Sequence, residues 1–109
     1  MRPSPAPFLQ TAALLCLGLA VTQAVHANPA LARKQGCLGC HAVASKLVGP
    51  SYVEVAAKYG HDKAAIAELA KSIRTGGSGK WGDMAMPPQA QLSDADARRL
   101  AAWILNGAK

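Results

Sequence analysis

The chain has 109 residues, a formal net charge of +6, and apolar residues at half of its positions. A chain of this length forms at most one small domain, which excludes a multidomain enzyme. Its three cysteines are too few for a disulfide scaffold. Only two Trp, two Tyr and one Phe are available to fill a core.

Residues 1–27 have the pattern of a secretory signal peptide. Arg2 supplies a positive start, ten apolar residues run from position 12 to 21, and Ala27 is a small residue at the expected cleavage site. Ten residues are too few to cross a bilayer, which needs about 20. We therefore expect residues 28–109 to be the mature protein, exported to a bacterial periplasm with a net charge of +5.

Four short helices are predicted in the mature chain, with no strand and no second domain. Asn28 before Pro29 indicates the start of the first helix. Asp62 caps the third, and Ser93 with Asp96 indicates a shortened capping box for the fourth. Apolar residues recur at helical spacing within these segments. The predicted spans, including their flanking caps, are 28–36, 51–59, 62–76 and 93–107.

Two long loops, around 40–50 and 76–92, separate these predicted helices. Loops of this length are uncommon in a small domain and usually carry function. The sequence therefore predicts an all-α domain whose functional residues lie in or beside these two loops.

The pentad Cys37-Leu38-Gly39-Cys40-His41 is the attachment signature of a c-type haem. Positions i, i+3 and i+4 of a helical turn face the same way, so Cys37 and Cys40 can both reach the vinyl groups of one porphyrin. His41 then falls under the iron as the proximal ligand. The small Gly39 lets the macrocycle approach the backbone. One covalently bound haem c is the predicted cofactor.

Two other interpretations of the cysteine pair were weighed against haem attachment. A thioredoxin-like redox pair needs a βαβ pattern nearby, and no strand is predicted here. A zinc site needs two further ligands at matching spacing, and the mature chain offers only His61 in addition. Haem attachment is the favoured interpretation.

The methionines of the mature chain, Met84 and Met86, are candidates for the sixth iron ligand. A thioether is a good axial partner because it stabilises ferrous iron relative to ferric. Pro87 and Pro88 would hold the Met86 backbone extended, which favours Met86. Met84 is expected to fill the core or to lie at the haem rim. His61, in a Gly-His-Asp turn, is expected to be a solvated turn residue.

The mature chain resembles a small bacterial monohaem class I cytochrome c, the short periplasmic type that donates electrons to nitrite reductases and oxidases. The resemblance covers nearly all of residues 29–106, and the spacing of His41 from Met86 also resembles that family. It implies a single-domain class I cytochrome c fold, with about four short helices wrapped around one covalent haem. The segments that carry it are 36–42, 48–52, 55–59, 81–82, 86–88 and 103–105.

The resemblance implies that His41 and Met86 are the axial ligands and that Cys37 and Cys40 are the thioether anchors. An iron with two protein ligands has no open position, which favours outer-sphere transfer of single electrons over catalysis. The expected function is therefore a soluble periplasmic electron carrier and not an enzyme.

Further residues are implied to surround the haem. The Pro50 carbonyl would accept a hydrogen bond from the proximal histidine, and Arg74 and Trp81 match positions that hold a haem propionate. Six apolar side chains are expected to line the haem pocket or the core behind it: Val48, Val55, Ile73, Leu92, Leu100 and Ile104.

Redox proteins are the expected partners, and a nitrite reductase, a terminal oxidase and a bc-type complex are all compatible. Export and the lack of a long basic run argue against nucleic acid. A monomer without stable membrane insertion is expected. Lys34, Lys46 and Lys80 lie beside haem-contacting segments, where they would steer acidic partners or simply be solvated charges.

Three other functions remain in competition with the electron carrier. A haem-based gas sensor or binding protein would need a labile distal ligand. A peroxidase would need a distal acid–base residue, which the sequence does not show. A thiol oxidoreductase would use the cysteine pair directly.

Overall fold

The structure, a computed structural model, describes residues 1–4 and 27–109. The predicted signal peptide, residues 1–27, therefore lies largely outside the described residues. The all-α prediction is confirmed, because no strand forms in the part of the chain that the structure describes. The elements are α1 (Ala27–Lys34), a 3₁₀ turn (Cys37–Gly39), α2 (Tyr52–Tyr59), α3 (Lys63–Thr75) and α4 (Asp94–Leu105).

The first helix starts earlier than the sequence predicts. Asn28 and Pro29 lie inside the first turn of α1, which begins at Ala27, so the prediction of Asn28 as the N-cap is wrong. Proline is tolerated anywhere in a first turn, because those N–H groups have no intrahelical acceptor. Pro29 therefore marks the first turn without specifying its first residue.

A capping box starts α2 where the sequence predicts its N-terminus. The Ser51 hydroxyl accepts from the Glu54 N–H at 3.1 Å, and the Glu54 carboxylate accepts from the Ser51 N–H at 2.8 Å. This backbone hydrogen bond, aided by one from the Ser51 hydroxyl, lowers the pKa of Glu54. Asp62 caps α3 as predicted, with its carboxylate accepting from the Ala64 N–H at 2.9 Å.

Only half of the capping box predicted for α4 forms. The Ser93 hydroxyl accepts from the Asp96 N–H at 3.0 Å, but the Asp96 carboxylate binds Arg99 at 3.1 Å instead of reaching back. Aspartate is one methylene shorter than the glutamate of a full capping box. The helix begins where predicted, with one side-chain cap instead of two.

The core lies where α4 packs against the other three α-helices. Trp103 of α4 is buried and meets Tyr52 edge-on with ring centroids 5.4 Å apart. No helix in the described residues combines the length and apolarity needed to cross a membrane. Small side chains in the core let the helices approach closely: Ala32, Ala65, Ala70, Ala97 and Ala101 are all buried.

Candidate haem site

The pentad forms a tight turn directly after α1. Gly36 has a φ of +75°, a left-handed conformation that glycine adopts at little cost. The carbonyl of Cys37 accepts hydrogen bonds from the N–H groups of Cys40 at 3.2 Å and His41 at 3.0 Å. This turn brings both cysteines and the histidine to the lining of one cleft.

The imidazole of His41 is held from three sides. Its Nδ1 lies 2.8 Å from the Pro50 carbonyl oxygen, so the predicted contact is present. Since a carbonyl only accepts, Nδ1 carries the proton and Nε2 keeps its lone pair. The Tyr52 ring stacks on the imidazole at a centroid distance of 5.5 Å and an angle of 17°. Gly49 closes the third side, where an added Cβ would lie 2.8 Å from Nδ1.

No disulfide joins Cys37 to Cys40. Desolvation by burial raises the pKa of the Cys37 thiol; a backbone hydrogen bond opposes this rise, and the proximity of Cys40 adds to it. Thiol–disulfide oxidoreductases depend on a cysteine whose pKa is lowered. The environment of Cys37 therefore gives no support to the thiol oxidoreductase interpretation.

The cleft has a volume of about 410 Å³, within the range of roughly 300–1,000 Å³ that is usual for cofactor sites. Of the six apolar residues predicted to line the haem pocket or the core behind it, Leu92 is buried in the core and does not line the cleft, as the second part of that prediction allows. Val48 is 53 % exposed and therefore lies at the cleft mouth. The predicted residues that line the cleft are Val48, Val55, Ile73, Leu100 and Ile104.

Met86 lines the same cleft, and its backbone is fastened to the end of α3. Its N–H donates to the Gly77 carbonyl at 2.8 Å, and the Gly77 N–H donates back to the Met86 carbonyl at 3.0 Å. Gly76 lies against the following residues, where an added Cβ would be 2.7 Å from the Pro88 nitrogen. The bridge to Gly77 therefore adds to the stiffness expected from the two prolines.

The other candidate ligands lie in different surroundings. Met84 lines the cleft but is 70 % exposed, as a residue at the rim would be. His61 is exposed in the turn between α2 and α3 and does not line the cleft. Trp81 lines the cleft and is 37 % exposed, in keeping with its predicted place beside the haem.

Arg74 is not brought to the cleft. Its Nε donates to the Leu92 carbonyl at 3.1 Å, and its side chain is exposed outside the cleft lining. Successive residues of a helix point about 100° apart, so Ser72 and Ile73 face the cleft while Arg74 faces away. The structure therefore does not unite Arg74 with the other predicted site residues.

Tyr59 and Ser72, which the sequence analysis did not single out as site residues, form a polar corner of the cleft together with Lys80. The Tyr59 hydroxyl lies 3.5 Å from the Ser72 hydroxyl and 2.8 Å from the Lys80 ammonium, and all three residues line the cleft beside Trp81. Hydroxyl and ammonium groups are hydrogen-bond donors that suit a carboxylate. The signal available for Tyr59 was the helical spacing of apolar residues Tyr52, Val55 and Tyr59 in α2.

The three lysines predicted near the haem edge differ in their surroundings. Lys80 lines the cleft and forms an ion pair with Glu68 at 3.0 Å, which offsets its charge. Lys34 is exposed at the end of α1, next to Gln35 of the cleft lining. Lys46 is exposed in the loop before α2.

The residues of the cleft fit a covalently attached haem. Two thiols lie at one turn, the neighbouring histidine keeps Nε2 free, and a methionine thioether lines the same apolar space. These are the donors that c-type haem attachment and axial ligation require. The polar corner would suit the propionates.

Comparisons with known proteins agree with this chemistry. A family model described as cytochrome c matches residues 27–108. Cytochrome c-552 of Hydrogenobacter thermophilus is 50 % identical over 80 residues, spanning 73 % of this chain and 81 % of the relative. Cytochrome c-551 of Pseudomonas aeruginosa is 43 % identical over 95 residues, spanning 85 % and 90 %.

A solved structure shows the same fold. The crystal structure of wild-type cytochrome c552 from Nitrosomonas europaea matches with a TM-score of 0.68 and 48 % identity. The match covers 71 % of this chain and 95 % of that one. Sequence and fold therefore lead to the same group of relatives.

Proposed function

Since this chain belongs to the cytochrome c family, we propose that it carries single electrons in the bacterial periplasm through an iron held by His41 and Met86. The coarser statement, that it is an electron-transfer cytochrome with covalent haem c, follows from the family itself. The proposal adds the ligands, the location and the partners.

One observation carries the ligand assignment: His41 and Met86 line one cleft, and each is held by its own backbone contact. The Pro50 carbonyl orients the imidazole, with Nε2 free for the iron. The bridge to Gly77 holds the Met86 backbone. Each proposed ligand is thus held by a contact within its own chain.

The haem, once bound, supplies the Fe(II)/Fe(III) couple. Cys37 and Cys40 would attach it, and the apolar walls would keep water away. Two protein ligands leave no open coordination position for a substrate. The chain is therefore proposed to exchange electrons and not to turn over a substrate.

The signal-peptide pattern of residues 1–27 supports a location for this exchange. We infer that residues 1–27 are removed on export and that residues 28–109 act in the periplasm. The partners are proposed to be a nitrite reductase, a terminal oxidase or a bc-type complex. Co-purification from periplasm prepared under defined respiratory conditions would identify which of these is bound.

The optical spectrum of the purified haem protein tests the ligand assignment. We expect a low-spin ferric spectrum with the far-red band of methionine-to-iron coordination. Met86→Ala should abolish that band, whereas the control Met84→Ala should keep it.

Two results would contradict the proposal. Loss of the band in Met84→Ala, with the band of Met86→Ala unaffected, would show that Met84 and not Met86 is the distal ligand. A high-spin spectrum that changes readily with CO in the ferrous state would support the alternative, a gas sensor or gas-binding protein with a labile distal ligand.

A further inference from the structure

Residues 77–85, which we call the Met86 loop, lose much conformational entropy when they adopt one ordered conformation. Gly77, Gly79 and Gly82 have φ values of +136°, +95° and +113°, and residues 77–85 are all exposed. Glycine loses more conformational freedom on folding than any other residue. The bridge between Gly77 and Met86 closes the base of the loop, so its tip needs other contacts to stay in place.

Lys80 supplies the first of those contacts. Its ammonium donates to the Tyr59 hydroxyl at 2.8 Å and to the Glu68 carboxylate at 3.0 Å. It also lies 4.4 Å from the centroid of the Tyr59 ring. These partners raise the pKa of Lys80, chiefly through the Tyr59 hydroxyl and then Glu68. One side chain thus joins the loop tip to both α2 and α3.

Lys58 supplies the second contact, from the opposite direction. Its ammonium donates to the Lys80 carbonyl at 2.7 Å and lies 4.4 Å from the centroid of the Trp81 ring. We call the set Lys58, Tyr59, Glu68, Lys80 and Trp81 the lysine clamp. Within residues 1–4 and 27–109, the hydrogen bonds that join residues 78–85 to α2 or α3 all run through Lys80.

We propose that the lysine clamp holds the Met86 loop closed over the cleft and thereby limits replacement of the distal ligand by an external one. Lys80 is a positioning residue in this arrangement, since it is not an iron ligand and its contacts with Tyr59 and Glu68 tie down the loop that leads to Met86. The proposal rests on the proposed ligation by Met86. It adds a set of contacts that would set the equilibrium between bound and dissociated Met86.

The expected size of the effect follows from the contacts. An exposed ion pair, a hydroxyl hydrogen bond and an exposed cation–π contact are each weak. Together they shift an opening equilibrium by about tenfold. Lys80 and Glu68 retain 42 % and 61 % of their side-chain exposure, so added salt should screen part of this effect.

Titration of the ferric haem protein with imidazole tests the proposal, because imidazole binds the iron only after the methionine leaves. We expect Lys80→Met to raise imidazole affinity about tenfold, and Glu68→Gln to raise it by less. The matched control is Arg98→Met, which also breaks an exposed ion pair, with Asp94 on α4. Arg98→Met should leave imidazole affinity unchanged.

Two further readouts separate positioning from a general loss of stability. In the parent protein, imidazole affinity should rise with salt as the clamp is screened, whereas in Lys80→Met it should not. The Lys80→Met/Glu68→Gln double variant should show less than the sum of the single effects. Lys80→Arg keeps the charge and should restore most of the resistance to imidazole.

The outcomes also distinguish this proposal from the one on which it rests. If the parent protein lacks the far-red methionine band, the ligand assignment fails. If the band is present and Lys80→Met binds imidazole as the parent does, the ligand assignment stands and the lysine clamp is overturned. An Arg98→Met variant that matches Lys80→Met would overturn it equally.

Discussion

The imidazole of His41 fills the space that a side chain on Gly49 would occupy. An added Cβ at position 49 would lie 2.8 Å from Nδ1 and 3.1 Å from Nε2. The φ of Gly49 is not in the left-handed region, so the backbone does not require glycine there. Glycine is required at position 49 because the His41 ring leaves no room for a Cβ.

Gly49→Ala should therefore displace the proposed proximal ligand. We expect a loss of unfolding free energy of about 1–3 kcal/mol from overpacking, together with a changed haem spectrum, because the ring must turn away from the Pro50 carbonyl. Denaturant unfolding and the ferric spectrum measure the two effects. Pro50→Ala keeps the carbonyl acceptor and serves as the control for the spectrum. A Gly49→Ala protein with the parent spectrum would contradict the expectation.

Gly76→Ala should be more harmful than Gly60→Ala, although both glycines end helices in the same backbone conformation. Gly60 has φ +73° and ψ −165°, and Gly76 has φ +64° and ψ −160°. Alanine at either position would cost about 1–3 kcal/mol in backbone strain. Only Gly76 also faces the chain of Met86 and the prolines, where a Cβ has no room.

Thermal unfolding of the two alanine variants, with the far-red band recorded alongside, compares them directly. We expect Gly76→Ala to weaken the band and Gly60→Ala to keep it, since nothing lies within 4 Å of a Cβ at position 60. Equal loss of stability with an intact band in both would show that the loop does not depend on this contact.

Glu54 should make stability depend on pH in the acid range. The capping hydrogen bonds lower its pKa below the ordinary value of 4.5, so the folded state holds the charged form more tightly than the unfolded chain. The contribution is complete above pH 4.5 and is lost as pH falls through the lower folded value. Glu54→Gln should be less stable than the parent at pH 7, and the difference should shrink below pH 4.5.

Urea unfolding over a pH series measures this contribution. Asp83→Asn, which removes the same charge from an exposed loop position, is the matched control and should show no such pH-dependent gap. If Glu54→Gln kept a constant gap from neutral to acid pH, the carboxylate charge would not be the cause.

Of the three lysines expected to steer acidic partners, Lys34 and Lys46 should matter more than Lys80. Both are exposed, whereas the charge of Lys80 is offset by Glu68. Stopped-flow electron transfer to an acidic redox partner should slow for Lys34→Gln and Lys46→Gln at low salt, and the deficit should fade as salt is added. Rates that do not respond to salt would leave these lysines as solvated charges.

The function of the pentad could be predicted from the sequence because the spacing of its cysteines and histidine decides what they can bind together. Cys37, Cys40 and His41 are so close in the chain that one turn fixes their relation. Capping at Asp62 was equally local and was predicted correctly. The second half of the capping box predicted for α4 did not form, because the aspartate side chain is one methylene shorter than that of glutamate. The Asp96 carboxylate binds Arg99 instead.

Longer-range relations escaped the sequence. The side chain of Arg74 was expected at the haem and instead binds the Leu92 carbonyl, because one step along a helix changes the face by about 100°. Tyr59 and Lys80 lie 21 positions apart and meet only in the folded chain. No period or motif links them.

The sequence by itself determined the covalent cofactor and the all-α class, because both follow from spacings within a few residues. The tertiary structure decided which side chains surround the cofactor. It placed the His41 ring against Gly49 and paired the backbones of Met86 and Gly77. It also brought the Lys80 ammonium to the Tyr59 hydroxyl. These contacts join residues distant in the chain, and their formation depends on how the helices pack. The scarcity of aromatic residues fits this division, because a haem would supply the flat apolar centre while small alanines let the helices close around it.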